Sequence, residues 1–220
     1  MNTALLKMIQ ICDSLFPIGA FTLSNGLETF VNNGQISTAE NLEEYINSYL
    51  QILPYNDLGV MALAYAHAEN WDYIEMLNQL SIIYKIPMEV RDGSRKLCSR
   101  FLKLWENIKE YESLRQYQQL PEGNYAIAVG LYAKEIGIAI ADGVSIYAYS
   151  LLTAMVTNAV KTVPLSQKDG QRILFEVQEK LPAVCEKSMR ITMDDLGIGG
   201  TESDIAAMNH ETLYSRLYMS

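Results

Sequence analysis

GVSIYAYSLLTAMVTNAV, residues 143–160, decides the fold class, because these eighteen consecutive residues carry no charge. As a helix the segment would be about 27 Å long, which suits either a membrane span or the centre of a large helical bundle. It contains Ser145, Tyr147 and Asn158, whereas membrane spans are dominated by Leu, Ile, Val and Phe. We therefore interpret it as the buried core helix of a bundle and expect no membrane segment.

The composition is that of one ordinary globular domain. Of 220 residues, 49% are hydrophobic and 20% are charged, which is typical of a chain with one substantial core. Lys7 and Asp13 interrupt the beginning of the chain, so it does not have the pattern of a signal peptide. We expect a cytoplasmic protein. Its cysteines, Cys12, Cys98 and Cys185, lie far apart and are expected to be reduced thiols.

The net charge of -9 argues against nucleic-acid binding, which requires a basic surface. One segment departs from this acidic balance. On a helix Arg91 and Arg95 share one face, and the segment is either a solvated face paired with Glu89 and Asp92 or a cationic patch that binds a partner. Its cations are Arg91, Arg95, Lys96 and Arg100.

Helical periodicity and the absence of clean strand alternation predict an all-α fold. We expect one domain over residues 1–220, a bundle of about nine to ten helices around the 143–160 helix. A second apolar helix at 124–140, separated from it at 141–143, has small residues that allow a close neighbour. Ser166 and Asp169 form a capping box that starts a further helix.

The last part of the chain is expected to be irregular. Residues 193–209 are rich in glycine and polar residues and predict a loop with poor helical content, flexible near 194–204. A C-terminal tail at 205–220 follows it.

The residue inventory disfavours an enzyme. The sequence has no phosphate-binding glycine loop, no H-E-x-x-H and no G-x-S-x-G. With His67 and His210 as the only histidines, catalysis would depend on carboxylates such as Glu28 near Asp13. An α-helical enzyme that uses carboxylates as acid and base therefore stays the alternative. A metal-storage protein that uses His67 or Cys98 is a third possibility, although neither has ligand spacing.

Four blocks of sequence together resemble the urease accessory protein UreF family and follow that family's order over nearly the whole chain. They are DSLFPIGAFTLSNGLE at 13–28, VRDGSRKL at 90–97, AVKTVPLSQKDGQRIL at 159–174 and AAMNHETLYSRLYMS at 206–220.

The resemblance implies an all-α homodimer that is not an enzyme. Proteins of this kind act in a cytoplasmic complex with a second scaffold protein, UreD or UreH, and with the GTPase UreG, which together deliver nickel to apo-urease. It implies no tightly bound cofactor: nickel would be in transit. GTP would bind only to the partner, since this sequence has no P-loop.

The resemblance assigns the C-terminal segment to docking of the second scaffold. Tyr214 would be an aromatic anchor and Arg216 a hydrogen-bonding fork, both of them frequent interface residues. The glycines that precede the segment would let it become ordered on binding; the alternative is a tail packed against its own bundle. The matching residues are Ala207, His210, Glu211, Tyr214, Ser215, Arg216 and Leu217.

The resemblance associates a second block with the GTPase. Its matching residues are Lys161, Gln167, Gln171 and Arg172. Lys161 also suits the negative end of a helix dipole, so a capping role is an alternative. Arg172 would be either an arginine finger or, as surface arginines more often are, the partner of local acids.

The sequence departs from the family where nickel ligands are concerned. Family members often have a histidine where Asn124 and Tyr125 stand here, which puts nickel ligation by that helix in doubt. We therefore expect no stable metal site, and we predict transient nickel contacts at Asp13 or Glu28.

Overall fold

The computed structural model describes residues 3–218, except for the side chain of Phe21. Within that range the chain consists of helices joined by turns and loops and contains no strand. The all-α prediction is confirmed. Residues 1–2 of the predicted domain and 219–220 of the predicted tail lie outside the described range. The helices are α1 Thr3–Cys12, α2 Leu27–Asn32, α3 Ala39–Ile52, α4 Asp57–Ala66, α5 Trp71–Tyr84, α6 Met88–Ile108, α7 Glu112–Tyr117, α8 Tyr125–Glu135, α9 Ile140–Thr162, α10 Gln167–Gln178, α11 Leu181–Ser188 and α12 Thr201–His210.

These twelve helices of the described range exceed the nine or ten predicted. Two of them, α2 and α7, have six residues each, so they are too short to show a helical period in sequence. Short 3-10 turns at Ala20–Thr22, Leu53–Tyr55 and Met193–Asp195 complete the chain path.

Two adjacent helices, α8 and α4, are buried on all sides, and in α4 every residue from 58 to 64 is buried. Every residue from Tyr125 to Ala133 is buried, and α4 makes its most extensive contact with α8. A Cβ placed on Gly130 would lie 2.4 Å from the backbone oxygen of Met61. The small residues predicted to permit a close neighbour therefore set the distance between α8 and α4.

The charge-free segment lies in α9, which has one face in the core and another in solvent. Leu152 and Val156 are buried, whereas Tyr149 and Thr157 are exposed. Within the described range α9 is the one helix long and apolar enough to cross a membrane. It packs against α1, α4, α10 and α11 in one bundle, which supports its interpretation as a bundle helix. Its burial was overestimated, because small hydroxyl side chains are tolerated on either face.

The start of α10 and the break between α8 and α9 can be compared with the predictions made from local sequence. The capping box is confirmed at the start of α10: Asp169 N–H donates to Ser166 Oγ over 3.1 Å, and Ser166 N–H donates to the Asp169 carboxylate over 3.0 Å. The break between α8 and α9 lies earlier than the predicted 141–143. It falls at Gly137, whose φ of +72° is a left-handed conformation that ends a helix.

The prediction of poor helical content for residues 193–209 was wrong. Residues 201–210 form α12, which starts after Gly200 at φ +84°. This helix has little amphipathic signal of its own and is stabilised by packing against α2 and α6. The approach is close, because a Cβ on Gly26 would lie 3.0 Å from the backbone nitrogen of Ala207. Only residues 194–200 of the predicted flexible loop lie outside α12.

Candidate partner-binding site

After α12 the chain continues as a non-helical segment, residues 211–218, which is called the tail from here on. Residues 205–210 of the predicted C-terminal tail belong to α12. Tyr214 is fully exposed and Leu217 is 71% exposed. Glu211 and Ser215 also lie at the surface. The tail therefore presents an aromatic and an aliphatic side chain to solvent, as a docking segment requires.

The tail begins at a completely buried histidine. His210 is the last residue of α12 and has 0% exposure. Its Nε2 lies 3.0 Å from Oε2 of Glu28 in α2, and its Nδ1 lies 2.6 Å from Oε2 of Glu89 in α6. The imidazole thus bridges two carboxylates from two different helices.

The same two carboxylates hold the tail. Glu28 Oε1 accepts the Leu217 N–H over 2.7 Å, and Glu28 Oε2 accepts the Tyr218 N–H over 3.1 Å. Glu89 Oε1 pairs with Arg216 Nη1 at 2.7 Å. The anchor, defined as Glu28, Glu89 and His210, therefore fixes the direction in which the tail runs.

Further hydrogen bonds connect this region with the rest of the bundle. Thr29 Oγ1 donates to the Ala206 carbonyl over 2.7 Å, and the Tyr218 hydroxyl donates to the Asn158 carbonyl over 3.2 Å. Asn158 in turn donates to the Leu23 carbonyl over 2.9 Å. Partial burial and the nearby Glu28 charge raise the pKa of Tyr218. The anchor thus lies where α2, α6, α9 and α12 meet.

The charge pattern of the anchor follows from its hydrogen bonds. A neutral imidazole has one N–H donor, whereas the imidazolium ion has two. Both ring nitrogens face carboxylate oxygens, so the imidazolium form donates in both directions.

The predicted nickel contact at Glu28 does not fit this geometry, whereas the one at Asp13 stays a prediction. Both oxygens of Glu28 already accept hydrogen bonds and the side chain is buried. Asp13 Oδ1 accepts the Leu15 N–H over 2.7 Å in an exposed turn. No group of three or more His, Cys, Asp or Glu residues within residues 3–218 is placed to hold a metal ion.

The remaining candidate ligands are occupied or inert. His67 stacks on Tyr73 with ring centroids 3.8 Å apart. Burial raises the pKa of the Cys98 and Cys12 thiols to about 12, which disfavours the thiolate form that binds metals. The buried thiols of Cys12 and Cys98 therefore do not favour a storage site.

The three arginines of the 91–100 segment have partners within the chain, and Arg100 Nη1 donates to the Ile18 carbonyl over 2.8 Å. Arg91 Nη1 donates to the Lys85 and Ile86 carbonyls over 2.9 and 3.1 Å, which ties the turn between α5 and α6. Arg95 pairs with Asp92 at 3.2 Å and with Glu122. Arg91 and Arg95 therefore do not form a separate cationic patch. For Arg95 the structure agrees with the alternative of pairing with local acids.

The second predicted partner region is exposed. Lys161, Gln167 and Gln171 lie at the surface where α9 ends and α10 begins. Arg172 pairs with Glu176 at 3.0 Å and with Glu43 at 3.2 Å, and these hydrogen bonds raise its pKa. Pairing with local acids thus describes Arg172 better than an arginine finger does.

The bundle also encloses a cavity of about 100 Å³ between α1, α3, α4, α6, α8 and α9. Its charged groups are Asp57 and Lys85, which form an ion pair at 2.7 Å. Each charge therefore has its counterion, so neither is poised as an unpaired general acid or base.

The fold and this site define an all-α helical-bundle protein in which one end of the bundle holds an exposed C-terminal segment. The comparisons with known proteins agree with this class and narrow it. Residues 36–178 match the family model for UreF, and the chain belongs to the UreF family of urease accessory proteins.

Similar proteins named urease accessory protein UreF cover almost the entire chain. One from Actinobacillus pleuropneumoniae serotype 3 is 38% identical over 97% of this chain and 97% of its own length. One from Haemophilus influenzae is 37% identical over 99% and 96%. One from Lachnoclostridium phytofermentans is 33% identical over the full length of both chains. The family has an accessory, non-enzymatic role in urease maturation, so the carboxylate-enzyme alternative is set aside.

Proposed function

We propose that this chain is a scaffold for nickel delivery to apo-urease, assembled in the cytoplasm with a UreD/UreH-type scaffold protein and a UreG-type GTPase. The observation that supports this proposal is the way the tail is held at the surface of the bundle. The backbone of the tail is fixed to the body by Glu28 and its Arg216 side chain by Glu89, while Tyr214 and Leu217 face solvent. A fixed backbone lowers the entropy lost when a partner docks.

In this proposal the second scaffold docks on the tail, with Tyr214 as the aromatic anchor. The sequence left two alternatives for this segment, docking of a partner or packing against its own bundle. In the structure the backbone amides of Leu217 and Tyr218 are bonded to the bundle, whereas the apolar side chains of Tyr214 and Leu217 are exposed. Arg216 orients the tail through Glu89.

The GTPase-facing surface is assigned to Lys161, Gln167 and Gln171. These side chains project from one exposed junction between α9 and α10, on a segment whose start is fixed by the Ser166 capping box. Nickel passes through the complex in transit and GTP is bound by the partner. The homodimer that the family resemblance implies is part of the proposal, and light scattering of the purified chain measures it.

The test uses purified chain, partner scaffold and GTPase in co-purification and urease-activation assays. Tyr214→Ala and deletion of residues 211–220 should abolish binding of the second scaffold, and Arg216→Ala should weaken it. Ile108→Ala is the matched control, because Ile108 is 60% exposed at the last residue of α6, whereas Glu89 lies in the first turn of that helix. If Tyr214→Ala and the deletion assemble and activate urease as wild type does, the tail is not the docking segment.

A further inference from the structure

Three tyrosines line the cavity of about 100 Å³ between α1, α3, α4, α6, α8 and α9, and their hydroxyls have no hydrogen-bond partner within the described part of the chain. They are Tyr49, Tyr125 and Tyr147. Tyr125 and Tyr147 are only 8% and 2% exposed. Buried polar groups in proteins are almost always hydrogen-bonded, so three unpaired hydroxyls around one cavity indicate an occupant that binds them.

Other polar groups of the lining are already used within the protein. Ser94 Oγ accepts the Tyr125 N–H over 3.2 Å, and Ser150 Oγ donates to a carbonyl of its own helix over 2.8 Å. Lys85 Nζ pairs with Asp57 Oδ1 at 2.7 Å, and among the described residues the second oxygen of Asp57 has no donor. The unused hydrogen-bonding groups of the lining therefore include three hydroxyls and one carboxylate oxygen.

The three phenols face the cavity as neutral hydroxyls. Burial raises the pKa of Tyr125 well above its ordinary value. Burial also raises the pKa of Tyr49 and Tyr147, and the nearby Asp57 charge raises both further. At neutral pH each phenol therefore keeps its proton, so it can donate one hydrogen bond and accept another.

The charges of the lining disfavour an ionic occupant. Asp57 and Lys85 neutralise each other, and Asp204 of α12, which lies near Lys85, adds a negative charge outside the lining. An anion would lose its hydration without gaining an unpaired cation, and a cation would compete with Lys85 for the carboxylates. A neutral occupant avoids both costs.

The size and the apolar part of the wall limit the occupant further. A cavity needs about 10–15 Å³ for one water, so this one holds either several waters or one molecule of roughly four to six non-hydrogen atoms. Each buried water needs two to four polar partners, whereas Ile11, Leu97 and Met155 present apolar surface to the cavity. A molecule with one polar and one apolar end matches such a wall better than a cluster of waters.

We propose that this cavity is a binding site for a small neutral amide. The amide carbonyl accepts hydrogen bonds from the tyrosine hydroxyls, an amide N–H donates to the free oxygen of Asp57, and the alkyl end contacts the apolar wall. A primary amide is uncharged and carries both an acceptor and donors, which is the combination that the lining leaves unpaired. The site goes beyond the proposed function, since it is present or absent in the isolated chain without any partner.

The experiment is a nuclear magnetic resonance titration of the isotope-labelled full chain with acetamide. Acetate is the charged probe of the same size, and ethanol is the neutral probe without an amide. Acetamide should shift the backbone amides of Ser150, Leu151 and Ala154 saturably, with a Kd of roughly 1–10 mM, as suits four non-hydrogen atoms. Acetate and ethanol should bind at least about tenfold more weakly.

Two variants test the site and a third is the matched control. Tyr147→Phe removes one hydroxyl and should weaken acetamide binding about fivefold, with no loss in Tm because that hydroxyl has no partner in the protein. Ala154→Leu fills the cavity and should abolish binding. Tyr149→Phe removes a hydroxyl from the same helix at a 39% exposed position outside the lining, and should bind acetamide as wild type does.

The absence of saturable acetamide shifts at the lining overturns the proposal. So does acetate or ethanol binding as tightly as acetamide, or an unchanged acetamide Kd in Tyr147→Phe. If Ala154→Leu fails to fold, Tyr147→Phe decides, since it removes a single oxygen atom and keeps the ring.

Discussion

Replacing Glu28 by glutamine removes one negative charge from the anchor while keeping the size of the side chain. The Glu28 carboxylate accepts hydrogen bonds from the His210 ring and from the Leu217 and Tyr218 amides, at 3.0, 2.7 and 3.1 Å. It is 5% exposed, so water cannot replace what is lost. The substitution also directs an amide N–H group towards donors that need an acceptor.

The magnitude follows from these contacts. A hydrogen bond to a charged group contributes about 1.5–3 kcal/mol and a neutral one about 0.5–1.5 kcal/mol, so three bonds lose roughly 3 kcal/mol. A buried donor left without its acceptor costs about 1–3 kcal/mol. These two figures describe the same contacts and are not added. We expect the free energy of unfolding to fall by about 3–4 kcal/mol, a large part of the roughly 5–15 kcal/mol typical of a domain.

Urea unfolding followed by far-UV circular dichroism measures this change. Glu44→Gln is the control, since Glu44 is exposed on α3 and its neutralisation should leave the midpoint unchanged. A loss below about 1 kcal/mol for Glu28→Gln, the size of an ordinary surface effect, would refute the reasoning that the buried carboxylate holds α12 and the tail.

Three further predictions concern a close helix contact, a buried hydrogen bond and a helix cap. Gly130→Val should destabilise the chain by about 3 kcal/mol or more, since its first added carbon would lie 2.4 Å from the Met61 oxygen, and thermal unfolding measures this. Thr29→Val should cost about 1–3 kcal/mol in urea unfolding, because the Ala206 carbonyl loses its 2.7 Å donor. Hydrogen bonds from the capping serine lower the pKa of Asp169, so its stabilisation is complete above the unfolded-state pKa and disappears as pH falls through the folded-state value. Asp169→Asn should therefore lower the Tm at neutral pH and match wild type in acid.

Local and periodic features were predictable from sequence because their causes lie within a few residues. The Ser166 capping box needs only side chains three residues apart, and its hydrogen bonds form as expected. The small residues of the 124–140 helix predicted a close neighbour, and α4 occupies that place. The order of the family blocks likewise indicated the UreF family without any structure.

The tertiary structure alone decided which groups meet at the tail. Glu28 and His210 are 182 positions apart, and Glu89 and His210 are 121 apart; no local pattern brings such residues together. Glu89 was considered in sequence only as a partner for nearby arginines, Asn158 was used only as a polar residue of the charge-free segment, and Thr29 carried no signal. Helix α12 was missed for the same reason, because its stability comes from α2 and α6 rather than from its own period.

The sequence by itself determined an all-α bundle, a family and a C-terminal segment of interest, since composition, period and motif order are properties of the chain. The charge-free segment 143–160 was correctly assigned to the bundle. How deeply this segment is buried was decided only by the packing of the helices, which buries α8 on all sides and leaves one face of α9 in solvent. The direction of the tail was decided in the same way, because two carboxylates distant in sequence converge on one buried imidazole.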